Sequence, residues 1–199
     1  DYYAAKLEAH GAGHRGVDWN SAESQALRFE QLLKVCDLGW PFSLLDYGCG
    51  YAALADHLAA RAAVVDYRGF DICEAMLAAA RTRRPAGRFT AAEAELEPAD
   101  YVVAGGVFHV KLAADVGRWE AYLFETLDRF AALARRGFAF NVLTAYSDPG
   151  RMRPDLYYAD PCRLFDHCKR RYSRNVALLH DYDLYEFTIL VRRRPPEQP

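Results

Sequence analysis

Between Leu44 and Ala53 the chain reads LLDYGCGYAA: an apolar run, the carboxylate of Asp46, then Gly48 and Gly50 ahead of helix-forming residues. This string suits the binding of a nucleotide-like ligand at the carboxyl end of a strand. Glycine lets the backbone come close to the ligand, and the first turn of the following helix offers unpaired N–H groups. The acid two residues before the first glycine, the helix after the turn and a second apolar run, YRGFDI, that closes on Asp71 separate it from an ordinary glycine turn.

The elements that must position these residues alternate. SLLDY reads as a first strand, Ala52 to Ala62 as a helix, YRGFDI as a second strand and Glu74 to Arg83 as a helix. A short strand at Arg88 to Thr90, a strand at Tyr101 to Ala104, a helix from Arg118 to Ala134 and a strand from Phe138 to Leu143 follow. The succession predicts an α/β fold, a Rossmann-like, mostly parallel seven-stranded sheet with helices on both faces. Val176 to Leu179 and Tyr185 to Val191 are joined by a link so short that it permits only an antiparallel hairpin. Ahead of the core, Asn20 and Ser21 start a helix whose apolar face (Ala26, Phe29, Leu32, Leu33, Cys36) ends at Gly39–Trp40–Pro41, and Tyr2 to Ala9 forms a further short helix. Residues 1–39 read as a helical cap, 43–192 as the ligand-binding core of one domain, and the charged, Pro-rich end from Arg192 as a frayed tail. Thr144 to Asp160, rich in Pro, Gly, Asp and Tyr, is long enough to serve as a lid.

The chain resembles the class I S-adenosylmethionine (SAM)-dependent methyltransferases over roughly residues 43 to 192. Their first motif is an acid followed by alternating glycines, as in Asp46-Tyr-Gly48-Cys-Gly50. GFDICEAML, ADYVVAGGVFHV and the final hairpin extend the likeness. It departs at Ala52, where the family has a third glycine, and the added methyl is expected to narrow the approach to the ligand. The resemblance implies SAM as cofactor, with the Gly48–Cys49–Gly50 backbone against its methionine portion. It places Asp71 on the ribose hydroxyls, where an ionised carboxylate acts as a pure acceptor. Glu93, ahead of Glu95, is implied for the adenine amino group. Ile72 and Met76 are implied as its flanks, although their helical spacing suits a core face equally. The stretch GVDWNSAESQALRFEQLL is similar to the cap of a group of bacterial methyltransferases, which implies Arg28 as partner of the SAM carboxylate, with Trp19, Gln25 and Tyr2 beside it.

Methyl transfer from a sulfonium asks the protein to hold an acceptor in line, exclude water and accept a proton. His109, His180 and Tyr146 are the catalytic candidates. Phe108, Asp148, Tyr157 and Tyr158 are further acceptor-side residues, and Tyr146, Tyr157, Tyr158 and Phe165 could enclose a small apolar or planar molecule. Two rival readings remain. Gly48-x-Gly50-x-x-Ala53 followed by Asp71 also fits a nicotinamide-dependent oxidoreductase, against which stand Asp46 and the closing hairpin. The other is a noncatalytic SAM-binding module.

Composition bounds the rest. The 199 residues, 52% hydrophobic and 26% charged, suit a globular domain, and a net charge of −2 gives no field that would draw nucleic acid or an anionic membrane. No apolar run is long enough to span a bilayer and no leader pattern precedes the core, so the expected location is the cytoplasm. Five cysteines without paired spacing read as reduced thiols. Cys162, His167 and Cys168 lack a C-x-x-C partner, so no metal site is expected. The basic runs at Arg81–Arg88 and Lys169–Arg174 read as solvated helix ends. A small-molecule acceptor is the expected partner; a homodimer is left open.

Overall fold

The computed structural model describes residues 2–193. A cap comes first: α1 (Tyr2–His10), a 3-10 turn (His14–Val17) and α2 (Ala22–Leu33). The core follows as β1 (Phe42–Tyr47), α3 (Ala53–Ala60), β2 (Val65–Phe70), α4 (Glu74–Arg83), β3 (Arg88–Thr90), β4 (Ala99–Ala104), α5 (Val116–Leu133) and β5 (Ala134–Thr144). Then come β6 (Tyr158–Ala159), α6 (Pro161–Arg171), β7 (Asn175–Leu179) and β8 (Glu186–Arg192). Of the tail expected to fray, Arg192 ends β8, and residues 194–199 lie outside the described residues.

The sheet runs β3-β2-β1-β4-β5-β8-β7. It is parallel from β3 to β5, and β8 and β7 close it antiparallel, with Val142 opposite Phe187 and Val176 opposite Val191. This path contains the seven expected strands. The two-residue β6 adds an eighth, pairing with Leu143 and Thr144 at the end of β5.

Burial follows from alternation along the central strands. On β1, Leu45 and Tyr47 join a core with Leu123, Leu127 and Phe130 of α5, while Phe42 and Leu44 join Leu32 and Leu33 of α2 and Leu54 and Leu58 of α3. A strand covered on both faces reads as the continuous apolar run seen in the sequence. Strand β5 starts earlier than Phe138 because α5 runs straight into it: Ala134 caps the helix with extended backbone (φ −84°, ψ 119°). The polar pair Arg135–Arg136 hides this start.

The cap helix α2 begins at Ser21, whose hydroxyl accepts from Ser24 N–H while the Ser24 hydroxyl accepts from Ser21 N–H. Such reciprocal capping stabilises a helix start by about 1 kcal/mol. Helix α6 is capped by Asp160, which accepts from Cys162 and Arg163 N–H, and it ends on Lys169, Arg170 and Arg171, as expected for a solvated helix end. No helix among the described residues is long and apolar enough to cross a membrane.

Candidate functional site

From β1 the chain passes outward to β2 and β3, then returns to β4 on the other side of β1. The loops after β1 and β4 therefore diverge and leave a crevice at the carboxyl edge, the place where open parallel sheets bind ligands. A cavity of about 720 Å³ lies there.

The floor is the glycine turn. Gly48 (φ +79°) and Gly50 (φ +53°) take left-handed backbone, and the N–H groups of Gly48 and Cys49 both donate to Phe70 O, at 2.7 and 2.9 Å. A side chain at Gly48 would meet Val107 Cγ2 at 2.5 Å, and one at Gly50 would meet Val17 Cγ1 at 3.2 Å. The turn is thus pressed between the β4 loop and the cap, so glycine is required by contact as well as by dihedral.

Asp71 fastens the turn to the end of β2. Its Oδ2 accepts from Gly50 N–H at 2.8 Å and its Oδ1 from Cys73 N–H at 2.8 Å. Burial raises its pKa, and these two donors work against that. Asp46, buried under the turn, accepts from Tyr67 Oη at 2.5 Å. Desolvation pushes its pKa up to about 7 against that hydrogen bond, and the charge of Asp71 adds to the rise.

On the cap side, the Arg28 guanidinium lies 4.0 Å from the centre of the Trp19 ring. Arg28 Nε donates to Glu186 Oε2 at 2.8 Å and Nη1 to Ser24 O at 3.0 Å. This pair is buried, and Glu186 also accepts from Asn141 Nδ2 at 2.8 Å.

Every cofactor-side candidate named from the sequence reaches the cavity wall except Glu93 and its alternative Glu95. Glu93 accepts instead from Tyr47 Oη at 2.6 Å and Arg129 Nη1 at 2.9 Å, and it is Tyr47 that lines the cavity. The alternative, Glu95, accepts from the Thr90 hydroxyl and is likewise outside the wall.

The catalytic candidates are not brought together there. His109 is buried outside the wall, its ring edge-on to Trp19 at 5.5 Å between centroids, with Nε2 lacking a partner. Desolvation, helped by the charge of Arg28, pushes its pKa down to about 3. A base that weak takes a proton poorly near neutral pH. Tyr146 is 71% exposed and packs against exposed His180, also away from the wall.

The segment expected as a lid is pinned to itself, to the β4 loop and to α5: Ala145 N–H donates to Ala159 O, Tyr157 N–H to His109 O, and Tyr157 Oη to Glu120. Among the described residues the wall is drawn from Tyr2 through Tyr122 alone.

What covers the cavity includes Tyr2 of α1, named from the sequence, and residues that sequence reasoning missed: Tyr3 of α1, Val107 after β4, and Trp119 and Tyr122 of α5. Trp119 and Tyr122 stand three apart near the start of an amphipathic helix, a spacing that reads as core face. Their position directly after the β4 loop was the signal available. Ala52 also differs from expectation. It adopts left-handed backbone (φ 64°) and packs with Ala55 and Ala80, so its methyl turns into the core and leaves the approach to the cavity unnarrowed.

Comparison with known proteins agrees with this geometry. Residues 45–123 match the methyltransferase domain family. A protein of Mycobacterium tuberculosis named "Putative methyltransferase Rv1506c" is 52% identical over 164 residues, which cover 81% of this chain and 99% of that protein. Among solved structures, magnesium protoporphyrin IX methyltransferase from Synechocystis PCC 6803 with bound SAM aligns with a TM-score of 0.58 at 18% identity, covering 86% of this chain and 80% of its own. The N-terminal domain of EvdMO1 with S-adenosylhomocysteine bound gives a TM-score of 0.64 at 14% identity, with coverage of 92% and 86%. The solved structures speak for the fold. The mycobacterial relative, sharing more than half of the aligned positions along nearly all of its length, speaks for descent, and on that ground the chain belongs to the class I SAM-dependent methyltransferases.

Proposed function

We propose that the cavity holds SAM across the glycine turn and that the chain transfers its methyl group to a small acceptor with an apolar or planar body. The observation that carries this reading is the Gly50–Asp71 hydrogen bond at the strand-order reversal, which fixes a side-chain-free backbone beside a carboxylate. The residues present fit the cofactor. Each Asp71 oxygen spends one acceptor position on a backbone N–H and keeps another for a ribose hydroxyl. Ile72, 85% exposed at the cavity rim, and buried Met76 offer apolar flanks for a purine. Arg28 supplies a cation for a carboxylate. SAM itself supplies an activated methyl on a sulfonium, which leaves orientation and exclusion of water to the protein.

Support for an apolar acceptor comes from Val107, Val110, Leu112, Trp119 and Tyr122, which line the cavity beyond the turn. All five cysteines are free thiols, and a reducing cytoplasm is the setting we assign.

Calorimetry with SAM, S-adenosylhomocysteine and NADH tests the cofactor reading. SAM and S-adenosylhomocysteine are expected to bind and NADH to bind far more weakly. Asp71→Ala is expected to lose about 1.5 to 3 kcal/mol, the worth of a hydrogen bond to a charged group. NADH heat with no SAM heat overturns the reading. Formation of S-adenosylhomocysteine across a panel of aromatic and aliphatic small molecules then tests the acceptor class, and turnover confined to macromolecules overturns it.

A further inference from the structure

Glu186 opens β8 in a run, EFTILV, that is otherwise apolar or hydroxylic, and its carboxylate is 1% exposed. A buried ion pair often contributes less stability than apolar side chains of the same volume would, so its presence in a core strand calls for a use beyond stability. Both oxygens are committed. Oε2 accepts from Arg28 Nε at 2.8 Å, and Oε1 accepts from Asn141 Nδ2 at 2.8 Å. Asn141 passes the constraint on, its Oδ1 accepting from Gly106 N–H in the β4 loop at 2.7 Å.

The two branches meet again at the cavity. Arg28 lies against one part of the Trp19 ring system, and Trp19 also packs so closely on Gly106 that a side chain there would come within 2.7 Å of Cη2. Arg28, Trp19 and Gly106 all line the cavity, whereas Glu186 and Asn141 stand behind them.

We propose that Glu186 is a positioning residue that sets the Arg28 guanidinium and the Gly106 backbone at the end of the cavity receiving the amino-acid portion of the cofactor. This rests on the cofactor reading above. Glu186 acts through geometry. Its charge alone works the other way, since a carboxylate beside Arg28 partly neutralises the cation that would attract an anionic ligand. Replacing Glu186 by Gln keeps the length of the side chain but leaves one accepting oxygen facing two donors, so one branch is released.

The test is calorimetry on the full chain with two probes: S-adenosylhomocysteine, which carries the amino-acid end, and 5′-methylthioadenosine, which lacks it. The Glu186→Gln variant is expected to bind S-adenosylhomocysteine about tenfold more weakly, the worth of one charge-assisted hydrogen bond, with 5′-methylthioadenosine unchanged. Glu186→Asp keeps the charge but falls short by one methylene. It is expected to show the same selectivity, and it carries the test if the Gln variant does not fold. Equal losses for both probes, no loss, or tighter S-adenosylhomocysteine binding in either variant overturns the proposal. A parent protein that binds neither probe overturns the cofactor reading instead, and the two failures are distinct.

Discussion

The glycine turn at residues 47–53 and the tyrosine-rich segment at 144–160 both leave the carboxyl edge of the sheet, but only the turn meets the cavity. The turn follows β1, beside the reversal in strand order, where the chain diverges on either side. The segment follows β5, one strand further out, and spends its backbone on Ala159 O, Thr144 O and His109 O. Composition suits both to ligand contact. Position relative to the reversal decides between them, and the cover that the segment does not provide comes from the cap, through Tyr2, Tyr3, Val17 and Trp19.

The largest expected effect is at the turn. Gly50→Val places a branched side chain on left-handed backbone, 3.2 Å from Val17 Cγ1. Strain of about 1 to 3 kcal/mol and a loss of SAM affinity on the order of 100-fold are expected, read by denaturant melts and calorimetry. Tyr146→Ala is expected to leave SAM affinity unchanged. Comparable binding losses in the two variants would erase the distinction between the regions.

A smaller effect sharpens it. Asp46, whose pKa burial lifts to about 7, lines the cavity and gains negative charge as pH rises through neutrality. Affinity for cationic SAM is therefore expected to rise relative to neutral-sulfur S-adenosylhomocysteine by severalfold between about pH 6 and about pH 8, and Asp46→Asn is expected to flatten that ratio. Stability should move in the opposite sense. The folded state holds this proton more tightly than an unfolded aspartate does, so the contribution of Asp46 falls as pH climbs from the ordinary carboxyl range to about 7. A pH-independent ratio in the parent would remove Asp46 from the cofactor's field.

The smallest effect is at Ala52. Glycine there relieves left-handed strain of about 1 to 2 kcal/mol but gives up a buried methyl worth about 0.8 kcal/mol, so stability should change by about 1 kcal/mol or less and SAM affinity not at all. Tighter SAM binding in Ala52→Gly would return that methyl to the cavity.

These differences explain which parts were legible in the sequence. The turn announces itself because an acid, two glycines and a helix start are neighbours in the chain, and the apolar runs and the short final link fix sheet type and hairpin without distant contacts. The wall opposite the turn gives no such local signal. Trp119 and Tyr122 look like any apolar helix face, and Glu93 looks like a free carboxylate until Tyr47 and Arg129 claim it. His109 stands at the expected strand end, yet one residue's difference in facing separates the cavity from the interior. A lone acid near the start of an apolar run, such as Glu186, reads as its solvated end, and its pairing with Arg28 of α2 becomes visible only in the folded chain.

The pair Arg28–Glu186 joins positions 158 residues apart, whereas among the described residues the cavity wall is complete by residue 122. A chain emerging from the ribosome would have all its wall residues outside long before their brace. Closing so long a loop comes late on entropic grounds, so docking of α2 against β8 should be among the last folding events. Ligand competence would then be a kinetic reporter of the finished fold. In refolding experiments, recovery of S-adenosylhomocysteine binding should track the slowest phase and lag behind the return of helical signal.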